Sequence, residues 1–355
     1  MNHLELFAGI GGFRRALDLL TQDGIMNFNT IGYSEIDKNA IQTYTLNYDV
    51  QGELELGDIV QFISDVENIN ALPHFELLTG GFPCQTFSMM GQQAGFQEDR
   101  GQMFFRIMDI VDVLHPRYML LENVKNLVTH DKGRTLQRIL LELHNRNYIV
   151  HYDVFNSTGF GLPQTRNRVI LFARSAEEGD FAFNAQLVKG HFDRNVRDNC
   201  SLDFYNSTID VLDLEVDPKY YLSERIKPTI LSDGSAKFKS NSEIDKLIAR
   251  PLTATMNKMH RACQDNYFSD LFIQSRGTDR PCTRMTKDEL AKIAIRKLTP
   301  QEAFKLQGFP PLFVTNAQRG RVSNGALYKQ AGNAVSVNTI YAIFHYLVTN
   351  LIIHE

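Results

Sequence analysis

Four cysteines occur in this 355-residue chain, at 84, 200, 263 and 282, and one of them stands where a thiol could be aimed. Cys84 follows Gly80-Gly81-Phe82-Pro83, just after the apolar run Leu77–Thr79. Pro83 fixes its own φ and restricts Phe82, so the backbone would set the position of a nucleophilic sulfur. The small and polar stretch from Thr86 to Arg100, with Gly91, Gly95 and Gly101 as hinges, suits a loop that closes over a substrate. Glu122-Asn123-Val124 follows another apolar run, Tyr118–Leu121. An acid there is expected to be partly desolvated, which disfavours its charged form and suits a proton donor; an ordinary surface glutamate is the alternative. In Gln164-Thr165-Arg166-Asn167-Arg168 two arginines stand two apart. In an extended segment they share a face, offering two cations to a phosphate or to a carbonyl oxygen gaining negative charge.

A second group of residues suits a nucleoside. Phe7-Ala8-Gly9-Ile10-Gly11-Gly12 follows the first β-prone run, and its glycines allow a tight turn and close approach to a ligand. The third glycine of a dinucleotide fingerprint is replaced by Arg14, which weakens a pyrophosphate reading. Glu35, in Ser34-Glu35-Ile36-Asp37, lies one βα unit later, where acids hold ribose hydroxyls. Asp58, in Gly57-Asp58-Ile59, is another acid at a strand end. Two acids and a glycine turn suit a ligand with a ribose, an amino-bearing base and a cationic remainder, as in S-adenosyl-L-methionine. The competing reading is that Asp37 and Asp58 only cap the helices that follow.

The elements that must position these groups alternate. Strand-like runs at Leu4–Phe7, Thr30–Tyr33, 54–56, Glu76–Thr79, Tyr118–Leu121, Tyr148–Phe155 and Val169–Ala173 are separated by helical stretches such as Phe13–Leu20, Asp37–Tyr48, Gln102–Leu114 and Lys132–Arg146. This is an α/β pattern with a mostly parallel sheet, whose ligands sit at the carboxyl ends of the strands. From about 175 to 295 the alternation fades into a less regular second domain, and Val337–Ile353 reads as a final helix. Charge divides the same way: 1–224 carry a net −13 and 225–355 a net +9, which fits a polyanion met by the second half. The cysteines show no zinc spacing, so no metal is expected, and the opening Met1-Asn2-His3-Leu4-Glu5 has no basic start of an export signal. The longest apolar stretch, Ile340–Ile353, is too short and too polar to span a bilayer, so a cytoplasmic protein is expected.

Taken in order, these residues resemble the DNA (cytosine-5)-methyltransferases of the bacterial modification type. The shared elements are Phe7–Gly12, Glu35, Asp58, Gly81-Phe82-Pro83-Cys84-Gln85, Arg100-Gly101-Gln102-Met103-Phe104, Glu122-Asn123-Val124 and Gln164–Arg168, then Arg296-Lys297-Leu298-Thr299-Pro300-Gln301-Glu302 and Gly332-Asn333-Ala334-Val335. The resemblance implies a Rossmann-like methyltransferase domain over 1–175, completed by 326–355, and a target-recognition domain and hinge over 176–325. It implies Cys84 as nucleophile, Glu122 on N3 of the target cytosine, and Arg166 and Arg168 supporting the base and its O2. It places S-adenosyl-L-methionine on Phe7, Ile10, Gly12, Glu35, Ile36, Asp58, Ile59, Pro83, Met103 and Asn333. The implied partner is double-stranded DNA, with a cognate restriction endonuclease acting separately and the enzyme a monomer in the bacterial cytoplasm.

Three other readings stand beside this one. A tRNA cytosine methyltransferase would keep the chemistry and change the substrate. A nicotinamide-dependent oxidoreductase leaves Cys84, Glu122 and the basic half without a role, and a non-catalytic nucleic-acid-binding module leaves the chemistry unused. Within the recognition region, Arg250–Thr255 and the polar run to Gln264 are candidate base-reading positions, with Arg250 equally suited to a phosphate or an internal carboxylate.

Overall fold

The computed structural model describes residues 1–83, 103–235 and 238–352. These pack as two compact units: Met1–Asn156 with Asn167–Leu202 and Thr339–Glu355, and Ser157–Arg166 with Asp203–Asn338.

The first unit is built on a seven-stranded sheet. Its strands are β1 (Asn2–Leu6), β2 (Asn29–Ser34), β3 (Leu54–Glu55), β4 (Leu77–Gly81), β5 (Tyr118–Val124), β6 (Tyr148–Asn156) and β7 (Asn167–Ser175), in spatial order β3-β2-β1-β4-β5-β7-β6. All neighbours are parallel except β7, which runs antiparallel to both β5 and β6. The sequence pattern does not distinguish β7 from the parallel strands. Only ten residues separate it from β6, too few for a helical crossover, so the chain reverses instead.

Helices α1 (Gly12–Gln22), α2 (Lys38–Thr45), α3 (Ile59–Phe62), α4 (Val66–Asn70), α5 (Met103–Leu114) and α6 (Arg134–His144) connect the strands. Apolar positions at helical spacing are buried, such as Phe104, Ile107, Met108 and Val111 on α5 and Leu136, Ile139 and Leu143 on α6. They share one core with Leu4, Leu6, Leu78, Met119, Leu121 and Leu171 of the sheet. Strand order reverses between β1 and β4, so a crevice is expected beyond the carboxyl ends of that pair.

The second unit is less regular. Its core gathers Leu222, Ile230, Leu231, Ile244, Ala262, Tyr267, Leu290 and Ile295 around a short antiparallel pair, Tyr267–Ser269 with Ile295–Lys297. Arg296 and Glu302 form a fully buried bidentate pair, at 2.9 and 2.7 Å, and Glu302 also accepts the N–H of Thr299 and of Asp213. The Arg296–Glu302 motif is therefore architecture: a capping box closed on an arginine.

Candidate active site

The turn after β1 is shaped by three left-handed residues, Phe7, Gly9 and Gly11. A Cβ on Gly11 would lie 2.5 Å from the Tyr48 ring, so Gly11 serves close packing. A Cβ on Gly9 would meet nothing within 4 Å, so Gly9 faces open space. The Glu35 carboxylate accepts the N–H of Gly9 (2.8 Å), Ile36 (2.7 Å) and Asp37 (2.8 Å), fixing the glycine turn to the end of β2. A carboxylate has about four acceptor sites, so one remains for a ligand hydroxyl. Ile36 beside it is 71% exposed, an apolar surface at a strand end.

Both aspartates cap helices, as the competing reading expects: Asp37 accepts from Asn39 and Ala40 at the start of α2, and Asp58 from Val60 at the start of α3. The side chains of Ile10 and Ile59 are buried and Gly12 is enclosed, while Phe7 and Met103 pack against the sheet core. Val60, next to Ile59, is an exposed hydrophobe that the sequence reading passes over. Arg14 explains the missing third glycine. It is buried, pairs with Glu53, donates to Tyr44 Oη and the Asp49 carbonyl, and lies 4.6 Å from the Tyr48 ring centre.

At the ends of β4 and β5, Glu122 comes beside the strand that leads toward Cys84. Glu122 lies directly opposite Gly81 in the parallel register, and Phe82 is buried while Pro83 is exposed. Cys84 and the following residues to 102 lie outside the described residues. Glu122 is only 8% exposed, and Arg168 Nε on neighbouring β7 donates to its Oε1 at 2.8 Å. The sequence reading missed this pairing, which antiparallel β7 creates by setting Arg168 opposite Val124. It also gave no role to Asn123, whose buried amide donates to the Phe82 carbonyl at 2.9 Å and so holds the chain two residues before Cys84.

Arg166 and Arg168 have different partners. Arg166 precedes β7 and belongs to the second unit, where its guanidinium donates to the carbonyls of Leu252 (3.2 Å), Gly332 (3.0 Å) and Ala334 (2.7 Å). Gly332 is required there, because a Cβ would fall 2.2 Å from the Thr253 carbonyl carbon. Asn333 between them is exposed at the end of the helix Asn324–Asn333. Gln164 is fully buried, donating to the Leu306 carbonyl and accepting the Leu252 N–H. Arg250, a candidate base reader, is committed inward to the carbonyls of Cys263 and Glu243.

Comparison with known proteins follows this geometry. Residues 1–349 match the model of the family described as C-5 cytosine-specific DNA methylase. The chain is 34% identical over 350 residues to the type II methyltransferase M.DsaV of Dactylococcopsis salina, covering 97% of this chain and 84% of that one. It is likewise 34% identical over 346 residues to the type II methyltransferase M.HpaII of Haemophilus parainfluenzae, covering 96% and 87%. The S. pombe Dnmt2 methyltransferase shares the fold with a TM-score of 0.71 at 19% identity, over 100% of this chain and 99% of that one.

Proposed function

The chain belongs to the C-5 cytosine-specific DNA methylase family, and on that premise we propose that it methylates C5 of a flipped-out cytosine within a specific double-stranded DNA sequence. The observation that carries this reading is the meeting of β4 and β5, where buried Glu122 faces the residue that leads through Phe82-Pro83 to Cys84. The open space over Gly9, the remaining acceptor site of Glu35 and the exposed Ile36 fit S-adenosyl-L-methionine. That molecule supplies an electrophilic methyl group on a sulfonium.

Cytosine C5 is a poor nucleophile. The Cys84 thiolate adds to C6 and makes C5 an enamine carbon, splitting one hard step into easier ones. Glu122 holds N3 and gives it a proton as that bond forms, and Arg168 orients Glu122 and supports charge at O2. Arg166, engaged with three carbonyls, positions the Gly332–Ala334 turn. C5 then takes the methyl group from the sulfonium, which leaves as a thioether; the C5 proton passes to water, the Cys84 thiolate is expelled and N3 returns its proton to Glu122. Flipping the base costs on the order of a few kcal/mol, which phosphate contacts to the basic region offset. Target recognition falls to residues 176–325, and protection of DNA from a cognate restriction endonuclease is the proposed role.

Labelled methyl transfer into duplex DNA and into tRNA, with wild type and Cys84→Ala, tests this. DNA should be labelled and tRNA not, and the variant should bind DNA while transferring no methyl. Transfer surviving in Cys84→Ala would overturn the mechanism, and labelling of tRNA alone would overturn the substrate.

A further inference from the structure

The glycine turn after β1 needs outside support, because Gly9 and Gly11 leave its backbone many conformations and nothing packs where a Cβ of Gly9 would stand. The end of β2 supplies part of it: Glu35 accepts the Gly9 N–H, and the Ser34 carbonyl accepts the Ala8 N–H at 2.9 Å. A further support comes from a residue that the mechanism does not use. Tyr48 Oη donates to the Gly11 carbonyl at 2.5 Å and lies 3.4 Å from the Ile10 carbonyl.

Tyr48 is itself firmly seated. Its N–H donates to the Tyr44 carbonyl at 3.0 Å, and its ring centre lies 4.7 Å from that of Tyr44, which stacks at 4.4 Å on Tyr33 of β2. Arg14 of α1 lies over the same ring. Burial, with Asp18 adding to it, raises the Tyr48 phenol well above its ordinary value, so the hydroxyl keeps its proton and stays a donor. The aromatic series thus runs from the sheet to the turn. Helix α2 joins two parts of the proposed cofactor site: Asp37 at its start follows Glu35 and Ile36, and Tyr48 lies just beyond its end.

We propose that Tyr48 is a positioning residue for the cofactor, its hydroxyl fixing the backbone at Ile10 and Gly11 so that the turn keeps the shape that receives S-adenosyl-L-methionine. This deepens the methyltransferase function proposed above and rests on it. The hydroxyl acts through the backbone: conformations removed in advance are not lost on binding, which favours affinity and leaves the chemical step alone. Tyr48→Phe keeps the ring against Gly11, Tyr44 and Arg14 and deletes the oxygen. The Gly11 carbonyl still receives the Arg15 N–H at 2.9 Å, so the variant should fold.

The test is isothermal titration of wild type and Tyr48→Phe with S-adenosyl-L-methionine and with its demethylated thioether product, followed by labelled transfer into duplex DNA at varied cofactor. In the variant, Kd and KM for the cofactor should rise about fivefold, the loss of one hydrogen bond's worth of preorganisation, with kcat held. The thioether should weaken by the same factor, because the turn meets what the two molecules share. Amide hydrogen exchange at Gly9 and Gly11 should be faster in the variant without cofactor and converge on wild type with it bound. Unchanged cofactor affinity and exchange in the variant, or a fall in kcat with KM unchanged, overturns the role of Tyr48. Wild-type protein that binds neither molecule overturns the cofactor reading itself, so the two failures are distinguishable.

Discussion

At the scale of single side chains, Glu122 and Arg168 form the pair on which the proposed chemistry depends. The carboxylate is almost wholly out of water and its charge partner is one guanidinium at 2.8 Å. Removing that partner leaves a buried acid uncompensated, which is costlier than the pair was stabilising. Because Arg168 retains some contact with solvent, Arg168→Ala should cost about 1–3 kcal/mol in denaturant unfolding, below the full penalty of a deeply buried pair. Methyl transfer should fall about a hundredfold or more, because the carboxyl proposed to serve cytosine N3 loses its orientation. Stability unchanged within error would show that the ion pair does not hold Glu122.

At the scale of one element, β1 carries two titratable groups through the middle of the sheet. His3 lies between the hydroxyls of Thr30 and Thr79, and burial, with Arg14 adding to it, lowers its pKa to about 3. Burial pushes Glu5 up from 4.5 to about 8, opposed by the nearby Arg14. The unfolded chain releases the Glu5 proton above 4.5 while the folded chain keeps it, so its contribution is full below 4.5 and is lost as pH rises through about 8. For His3 the contribution is full above 6.5 and is lost as pH falls toward 3. Glu5→Gln keeps the shape and removes the proton, so the drop in Tm between pH 6.5 and 8.5 should be smaller in the variant. Parallel pH curves for the two proteins would remove Glu5 from the account.

Elements of this kind were legible in the sequence where local pattern decides them. The strands and the glycine turn follow from apolar runs with punctuation, and the ends of those strands are where Glu35, Asp58 and Glu122 stand. Long-range partners were not legible. The short gap before β7 forces the chain to reverse, but nothing local announces that the reversal sets Arg168 against Glu122. Nor does a tripeptide announce that Asn123 ties down Phe82, or that Arg166 looks for carbonyls 86 and more residues away. The capping roles of Asp37 and Asp58 were legible, since an acid before a helix has one common local use.

Over the whole molecule, charge is segregated by unit: 21 basic to 15 acidic residues in the second, 16 to 26 in the first. A polyanion bound by the basic unit releases counterions, and six or more phosphate contacts cost about a thousandfold in affinity between 50 and 200 mM salt. Fluorescence anisotropy with a duplex oligonucleotide should show a drop of that order. A flat salt dependence would overturn the DNA-facing role proposed for the second unit.

The chain leaves the first unit at residue 157 and returns at 167, then leaves again at 203 and returns at 339. The short excursion carries Gln164 and Arg166, whose partners are backbone groups of Leu252, Leu306, Gly332 and Ala334 in the long one. Main-chain carbonyls exist whatever the side chains are, so this clasp tolerates wide variation in the surface it holds. A chimera that transplanted a foreign 203–338 insert into this host would fold around the same two residues, provided the donor brings a glycine where Gly332 stands.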